Sequence, residues 1–478
     1  MRPLVVGFDL DMTLIDTRPG IAAVWDALSA ETGVAVDSAE AVSRLGPPLS
    51  EEIARWFPAD QVEVVGDRFR ELYPGLAVVP APAFAGARES VAAVHAHEGR
   101  AVVVTGKYEP NARLHLEHLG IPADECVGWL WGEQKAQALL EHGATVYVGD
   151  HVGDVIGARA AGALSVGVAT GPVSADELQA AGADVVLADL TEFPAWLDGY
   201  VLDRRLADLD DALRALGSVV VAFSGGADSA FLLAAAVRAL GAGRVAAATA
   251  VSSSLPSSEL AAAARFAADL GVRHLTPATD EMSRDGYRAN AGDRCYFCKA
   301  ELLEVLRPLA DELGVAAVAT GTNADDARAG FRPGIRAAAE RAAVTPLLDA
   351  GLTKAQVRAA SQAWGLATWD KPAAACLSSR VAFGLEITTS RLARVERAEA
   401  ALREVLAATG IESPDQRVRD LGDRARVEVS ASAVEPVAAS AAVREAVLSA
   451  GFDEVEVDPR GFRSGAMNEL LADPARYI

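Results

Sequence analysis

Short apolar runs separated by longer stretches with helical spacing organise the whole chain. In the first 200 residues the runs fall at 4–8, 101–104, 146–148, 165–168 and 184–187, and in the second half at 219–223, 245–249 and 316–320. Runs of this length fit buried strands. Several end in polar residues, and helical patterns lie between them. That order predicts an α/β fold with doubly wound parallel sheets and sites at the strand C-termini. Residues 17–80 read as helices inserted after the first strand. Phe193-Pro194-Ala195-Trp196 breaks the pattern, and helical spacing resumes from Leu202 to Leu213, which predicts a boundary near Gly199. Three parts are expected: 1–200, 201–375, and a small α+β subdomain at 376–478.

At 478 residues two or three domains are expected, and 51% hydrophobic content can fill their cores. No apolar run is long enough to span a bilayer. The N-terminus runs straight into Asp9 and Asp11, unlike a signal peptide. The net charge of −22 argues against non-specific binding to nucleic acid or anionic membranes. Four cysteines are too few for a disulfide scaffold and suggest a reducing, cytoplasmic setting.

Four places carry candidate chemistry. Asp9 and Asp11 follow the first strand. If the extended conformation persists, their side chains share a side, where two carboxylates can hold Mg²⁺ and leave one as a nucleophile. Thr105 follows the second run, Lys135 lies in a helical stretch, and Asp150 and Asp154 follow the third. Taken singly, each acid reads as a solvated loop residue. The run at 219–223 leads into Ser224-Gly225-Gly226-Ala227-Asp228-Ser229 and an Ala/Leu-rich helix. That strand–loop–helix aims backbone N–H groups at an anion, and no Gly-Lys-Ser/Thr follows. Cys295 and Cys298 form a Cys-x-x-Cys: a redox pair, a zinc half-site or iron–sulfur ligands. Lone Cys126 reads as a small core residue. Arg417 and Arg419 alternate onto one strand face, which suits carboxylate or phosphate, although exposed arginines balancing acids are the plainer reading.

The ordered set Asp9/Asp11, Thr105, Lys135 and Asp150/Asp154 resembles the haloacid-dehalogenase (HAD) phosphatases over nearly all of 1–200. The resemblance implies Asp9 as nucleophile, Asp11 as general acid/base, Thr105 as phosphoryl ligand and Lys135 as neutralising cation. Asp150 and Asp154 would complete a Mg²⁺ site with Asp9 and Asp11. The inserted helices are similar to the cap of the phosphoglycolate-phosphatase branch. A rival reading is a degenerate site that binds without turnover. The phosphate ester is not specified.

The Ser224 loop resembles that of the PP-loop ATP pyrophosphatases. With Arg294-Cys295-Tyr296-Phe297-Cys298-Lys299, Cys376-Leu377-Ser378-Ser379-Arg380, Arg417-Val418-Arg419 and Gly461-Phe462-Arg463-Ser464-Gly465, the chain from about Asp208 resembles the ATP-dependent sulfur transferases (LarE type) of nickel-pincer nucleotide biosynthesis. That family adenylates a pyridinium bis-carboxylic acid mononucleotide and replaces the carboxylates with thiocarboxylates. The resemblance implies ATP binding by Ser224, Gly225, Gly226, Asp228 and Ser229. It implies an acceptor or phosphate site of Ser379, Arg380, Glu399, Arg417, Arg419, Glu428 and Arg463. One form of the family sacrifices a cysteine near Cys376, or one position earlier, at Ala375. The other holds a [4Fe–4S] cluster through cysteines at the places of Cys295, Cys298 and Cys376, and this chain fits that form better. Zinc or unliganded thiols are the alternatives. A PP-loop tRNA thiolase, an amide ligase, or a first domain acting as a scaffold are the rival functions. Expected partners are ATP, the mononucleotide, a phosphate ester and other enzymes of the pathway, but neither nucleic acid nor membrane. Homo-oligomerisation is left open.

Overall fold

Six parallel strands build the first sheet: β1 (Val5–Phe8), β2 (Arg100–Val104), β3 (Glu125–Val127), β4 (Val146–Gly149), β5 (Leu164–Val168) and β6 (Val185–Leu187), in the order β3-β2-β1-β4-β5-β6. The computed structural model describes residues 3–45, 47–328, 333–372, 376–463 and 466–470. It divides into two units, Met1–Val201 and Leu202–Ile478. β1 is buried throughout, so its alternating side chains feed two cores. Val6 and Phe8 pack on one face with Val91 and Val94, and Val5 packs on the other with Leu139 and Tyr147. Each fully buried Val, Leu or Phe contributes about 1.5–3 kcal/mol. Between β1 and β2, the helices Arg18–Thr32, Ser38–Ser43, Leu49–Trp56 and Val62–Leu76 have a separate core around Trp25, Phe69 and Tyr73, and a further helix, Ala87–Ala96, leads into β2.

The break expected at Phe193 is absent. One helix runs from Phe193 to Leu216. Pro194 sits in its first turn, where the missing N–H has no intrahelical partner to lose. Phe193, Leu197 and Val201 join the first unit's core, and Leu209 and Leu213 join the second unit's.

The second unit has a parallel sheet of β7 (Val219–Ala222), β8 (Val245–Ala248), β9 (Arg273–Leu275) and β10 (Ala317–Thr320), ordered β10-β7-β8-β9. A three-stranded sheet follows. β11 (Gln416–Asp420) runs antiparallel to β12 (Arg424–Val429), which runs parallel to β13 (Glu454–Val457). Its core takes Tyr287 and packs on Phe297 and Cys298, so the cysteine helix is built into it. Among the described residues no helix is long and apolar enough to cross a membrane.

Candidate functional sites

Both parallel sheets reverse their strand order at their first strand. β1 lies between β2 and β4, and β7 between β8 and β10. Such a reversal opens a crevice at the strand's C-terminal end, and each site lies there.

At β1, Asp9 follows the strand, Thr105 follows β2 and Asp150 follows β4, while Lys135 and Asp154 come from helices Gln134–His142 and Val152–Ala161. Lys135 Nζ donates to Asp9 Oδ1 (2.9 Å), Asp154 Oδ1 (2.6 Å) and the Tyr147 hydroxyl (3.0 Å). Thr13 Oγ1 donates to Asp150 Oδ1 at 3.0 Å. One oxygen from each of Asp9, Asp150 and Asp154 lies within 4.8 Å of the others. Gly171 is required beside them, because a Cβ there would stand 1.8 Å from Asp150 Oδ2. Burial pushes the Asp9 carboxyl up to about 7 against the pull of Lys135, with Asp154 and Asp11 adding to the rise. Burial, then Asp154 and Asp9, hold Asp150 well above the carboxylate range. One ammonium against three buried carboxylates leaves a deficit of positive charge. A hard divalent cation with oxygen ligands fits it.

Asp11 does not join this set. β1 ends at Phe8, before either acid, so the extended conformation on which the Asp9/Asp11 alignment depended does not continue to Asp11. The Asp11 carboxylate pairs instead with Lys107 Nζ at 2.8 Å. Lys107 also lies 4.8 Å from the ring centroid of Tyr73, which comes from the inserted helices, and the Tyr73 hydroxyl meets His115 Nε2 at 2.9 Å. Thr105 is buried, and its Oγ1 accepts from Lys107 N–H at 3.2 Å. Sequence reasoning gave no role to Lys107, Tyr147 or Thr13. Only Lys107, two residues after Thr105, carried a local signal.

At β7 the loop is tied by its own side chains. Ser224 N–H donates to Ser229 Oγ (3.3 Å), Gly226 N–H to Ser224 Oγ (3.4 Å), and Ser229 Oγ to Gly226 O (3.1 Å). Gly225 takes φ +72°, open to glycine without strain. The helix Ala227–Leu240 starts immediately after, with its first N–H groups unpaired within the helix. Two lysines distant in sequence reach this loop. Lys354 Nζ lies 2.5 Å from Asp228 Oδ2, and Lys371 Nζ donates to Gly225 O (2.9 Å) and Glu259 Oε2 (2.7 Å). Asp228 Oδ1 is buried without a hydrogen-bond partner. An orphaned carboxylate oxygen above a nest of N–H groups fits a magnesium nucleotide.

A cavity of about 320 Å³ is lined by Ser224, Asp228 and Ser229 together with Cys298, Lys299 and Cys376. Cys295 is exposed one turn before Cys298 on helix Arg294–Glu312. Burial, then Cys376, Glu281 and Cys295, push the Cys298 thiol up, and burial draws the Lys299 ammonium down. The three sulfurs are not within 4.8 Å of one another as a set. Thiolates sharing one tetrahedral zinc would lie about 3.8 Å apart. The three sulfurs as they stand are therefore not set out as ligands of a single zinc ion. Ala375 lies outside the described residues.

Next to it, a cavity of about 180 Å³ is lined by Lys371, Arg380 and Arg417 with Glu259 and Glu399. Arg380 Nε donates to Glu399 Oε1 (2.9 Å), which also accepts Val418 N–H (3.2 Å). Arg380 Nη1 donates to Ser379 Oγ at 3.0 Å. Arg419 donates to Glu428 Oε2 from Nε (2.9 Å) and Nη2 (2.7 Å), and to Ser379 O at 3.2 Å. Burial, then Arg380, hold the Arg417 guanidinium below its ordinary value. Of the expected acceptor-site residues, Arg380, Glu399 and Arg417 are in this lining and Ser379, Arg419, Glu428 and Arg463 are not; Arg463 pairs with exposed Glu469, and Ser464 and Gly465 lie outside the described residues.

Residues 6–159 match the haloacid dehalogenase-like hydrolase family, and 132–193 match a HAD-hydrolase-like family. The phosphoglycolate phosphatase of Rhodospirillum rubrum is 31% identical over 221 residues, covering 41% of this chain and 91% of that protein. A haloacid dehalogenase-like hydrolase structure from Streptococcus pneumoniae is 23% identical, with a TM-score of 0.38, covering 41% of this chain and 98% of that one. The other part of the chain is similar to the pyridinium-3,5-bisthiocarboxylic acid mononucleotide synthase of Lactiplantibacillus plantarum, 35% identical over 271 residues, covering 56% of this chain and 96% of that protein. An uncharacterized Synechocystis protein is 40% identical over 274 residues, covering 57% of this chain and 99% of that one.

Proposed function

Because the chain belongs to the haloacid dehalogenase-like hydrolases in its first unit, and in its other part to the family of the pyridinium-3,5-bisthiocarboxylic acid mononucleotide synthase, we propose that it is a bifunctional enzyme of cofactor sulfuration. The first unit hydrolyses a phosphate monoester. The second uses ATP to convert a pyridinium carboxylate mononucleotide to a thiocarboxylate. One observation carries the second activity: the nucleotide loop and two cysteines line a single cavity.

In the first unit, an Asp9 oxygen attacks phosphorus and the ester oxygen leaves with a proton from Asp11. Asp11, now a base, takes a proton from the water that cleaves the aspartyl phosphate. Thr105 orients the phosphoryl group, and Lys135 offsets its charge. Asp9, Asp150 and Asp154 would hold Mg²⁺, which supplies charge neutralisation when bound.

In the second unit, the Ser224–Ser229 loop, Lys354 and Lys371 hold the ATP phosphates. A substrate carboxylate oxygen attacks the α-phosphorus and pyrophosphate leaves. Sulfide sulfur then attacks the acyl carbon and AMP leaves with the oxygen. Ser379, Arg380, Glu399, Arg417, Arg419, Glu428 and Arg463 serve the acceptor or its phosphate. Cys295, Cys298 and Cys376 would hold a [4Fe–4S] cluster, which with three protein ligands supplies an iron open to added sulfide.

The test uses the Asp9→Asn background, so that the first unit cannot consume pyrophosphate. ATP, acceptor and sulfide should yield AMP, pyrophosphate and a product heavier by the exchange of oxygen for sulfur. ADP in place of AMP would sink the reading. A salt-dependent tRNA shift would favour a tRNA thiolase, and an ammonia-dependent product an amide ligase.

A further inference from the structure

Beside the carboxylate site the first unit carries an aromatic patch that hydrolysis does not use. Trp129 is 52% exposed and Tyr108 40% exposed, with ring centroids 5.4 Å apart. Trp129 adopts φ 62°, a costly conformation for a bulky residue and of a kind that persists at ligand clamps. It is fixed by Trp129 N–H donating to Lys107 O (3.0 Å) and Leu130 N–H to Thr105 O (3.1 Å). Those bonds tie segment 128–132 to the loop of Thr105, and Tyr108, three residues on, lies within about 10 Å of it along even an extended chain. From the inserted helices, the Arg70 guanidinium lies 5.6 Å from the Trp129 ring centroid. Its ion pair with Asp67, at 2.5 Å, is exposed and contributes little.

Two exposed rings suit a planar aromatic group, and a guanidinium beside them suits a carboxylate on that group. We propose that the substrate of the first unit is a phosphomonoester carrying a planar aromatic ring with a carboxylate, the ring against Trp129 and Tyr108 and the carboxylate on Arg70. This rests on the reading of that unit as a phosphomonoester hydrolase. A pyridine carboxylate mononucleotide belongs to the same chemical class, so both units would draw on one kind of compound.

The test compares kcat/KM of the full chain for nicotinic acid mononucleotide, nicotinamide mononucleotide (ring without carboxylate) and glycerol 3-phosphate (no ring). The expected order is as written, with about tenfold or more between first and last. Trp129→Gly suits the left-handed backbone and should shrink the preference for ring over ringless ester roughly tenfold, with Trp129→Phe restoring most of it. Arg70→Gln should erase only the preference for carboxylate over amide. Hydrolysis of all three esters without preference, or an equal loss on all three in Trp129→Gly, overturns the proposal and leaves the phosphatase reading standing. No Asp9-dependent hydrolysis of any ester overturns both.

Discussion

At the scale of the residue, charge balance governs the first site. Burial holds Asp9 up at about 7, against the usual 3.8, and Asp150 well above the carboxylate range. In the metal-free fold both keep protons that the unfolded chain releases near the usual value. The Asp9 contribution to stability is therefore greatest in acid and is lost as pH rises through about 7, and that of Asp150 is likewise lost as pH rises. A bound divalent cation opposes that loss. Thermal scans should show Mg²⁺ raising Tm more at about pH 8 than at about pH 5.5. An equal shift at both pH values would contradict the charge account. Asp9→Asn keeps shape but removes the attacking oxygen. Turnover of a generic phosphate ester should fall by about three orders of magnitude or more while the far-UV spectrum is unchanged.

At the scale of the element, both sites depend on strand order. Asp228 meets the loop because helix Ala227–Leu240 begins where β7 ends. Asp228→Ala should abolish AMP formation and leave phosphatase turnover intact, as separate sheets predict; assays of both activities on one preparation check this. The strands and the loop were legible because period and glycine placement are local signals. What was not legible depended on tertiary contact. Asp11 was expected among the magnesium ligands because alternation was extended past Phe8, where the strand ends, whereas its carboxylate pairs with Lys107. Pro194 looked like a breaker because its place in a first turn shows only once the helix is seen. Lys354 and Lys371 lie in unremarkable sequence and acquire meaning only where the fold brings them to the loop.

At the scale of the molecule, Cys298 and Cys376, from two separate segments, line one cavity with the Ser224 loop, and Cys295 lies one turn before Cys298. Anaerobic reconstitution should give brown protein with about four irons per chain, as that cluster type requires. Cys295→Ala, Cys298→Ala or Cys376→Ala should bleach it, and Cys126→Ala, buried in the first unit, should not. Sulfur transfer without iron, with one cysteine converted to dehydroalanine by mass, would make Cys376 a consumed donor instead. Lys371 has a consequence on this scale too. Its ammonium touches the Gly225 carbonyl and lines the arginine cavity through Glu259, so whatever fills one cavity changes the charge felt in the other. Occupancy of the two is then linked, and linkage is reciprocal: ATP must change acceptor affinity by the factor by which acceptor changes ATP affinity. Calorimetric titration of each ligand with and without the other should give matching factors. Lys371→Met should bring both towards one, turning an ordered pair of bindings into two independent ones.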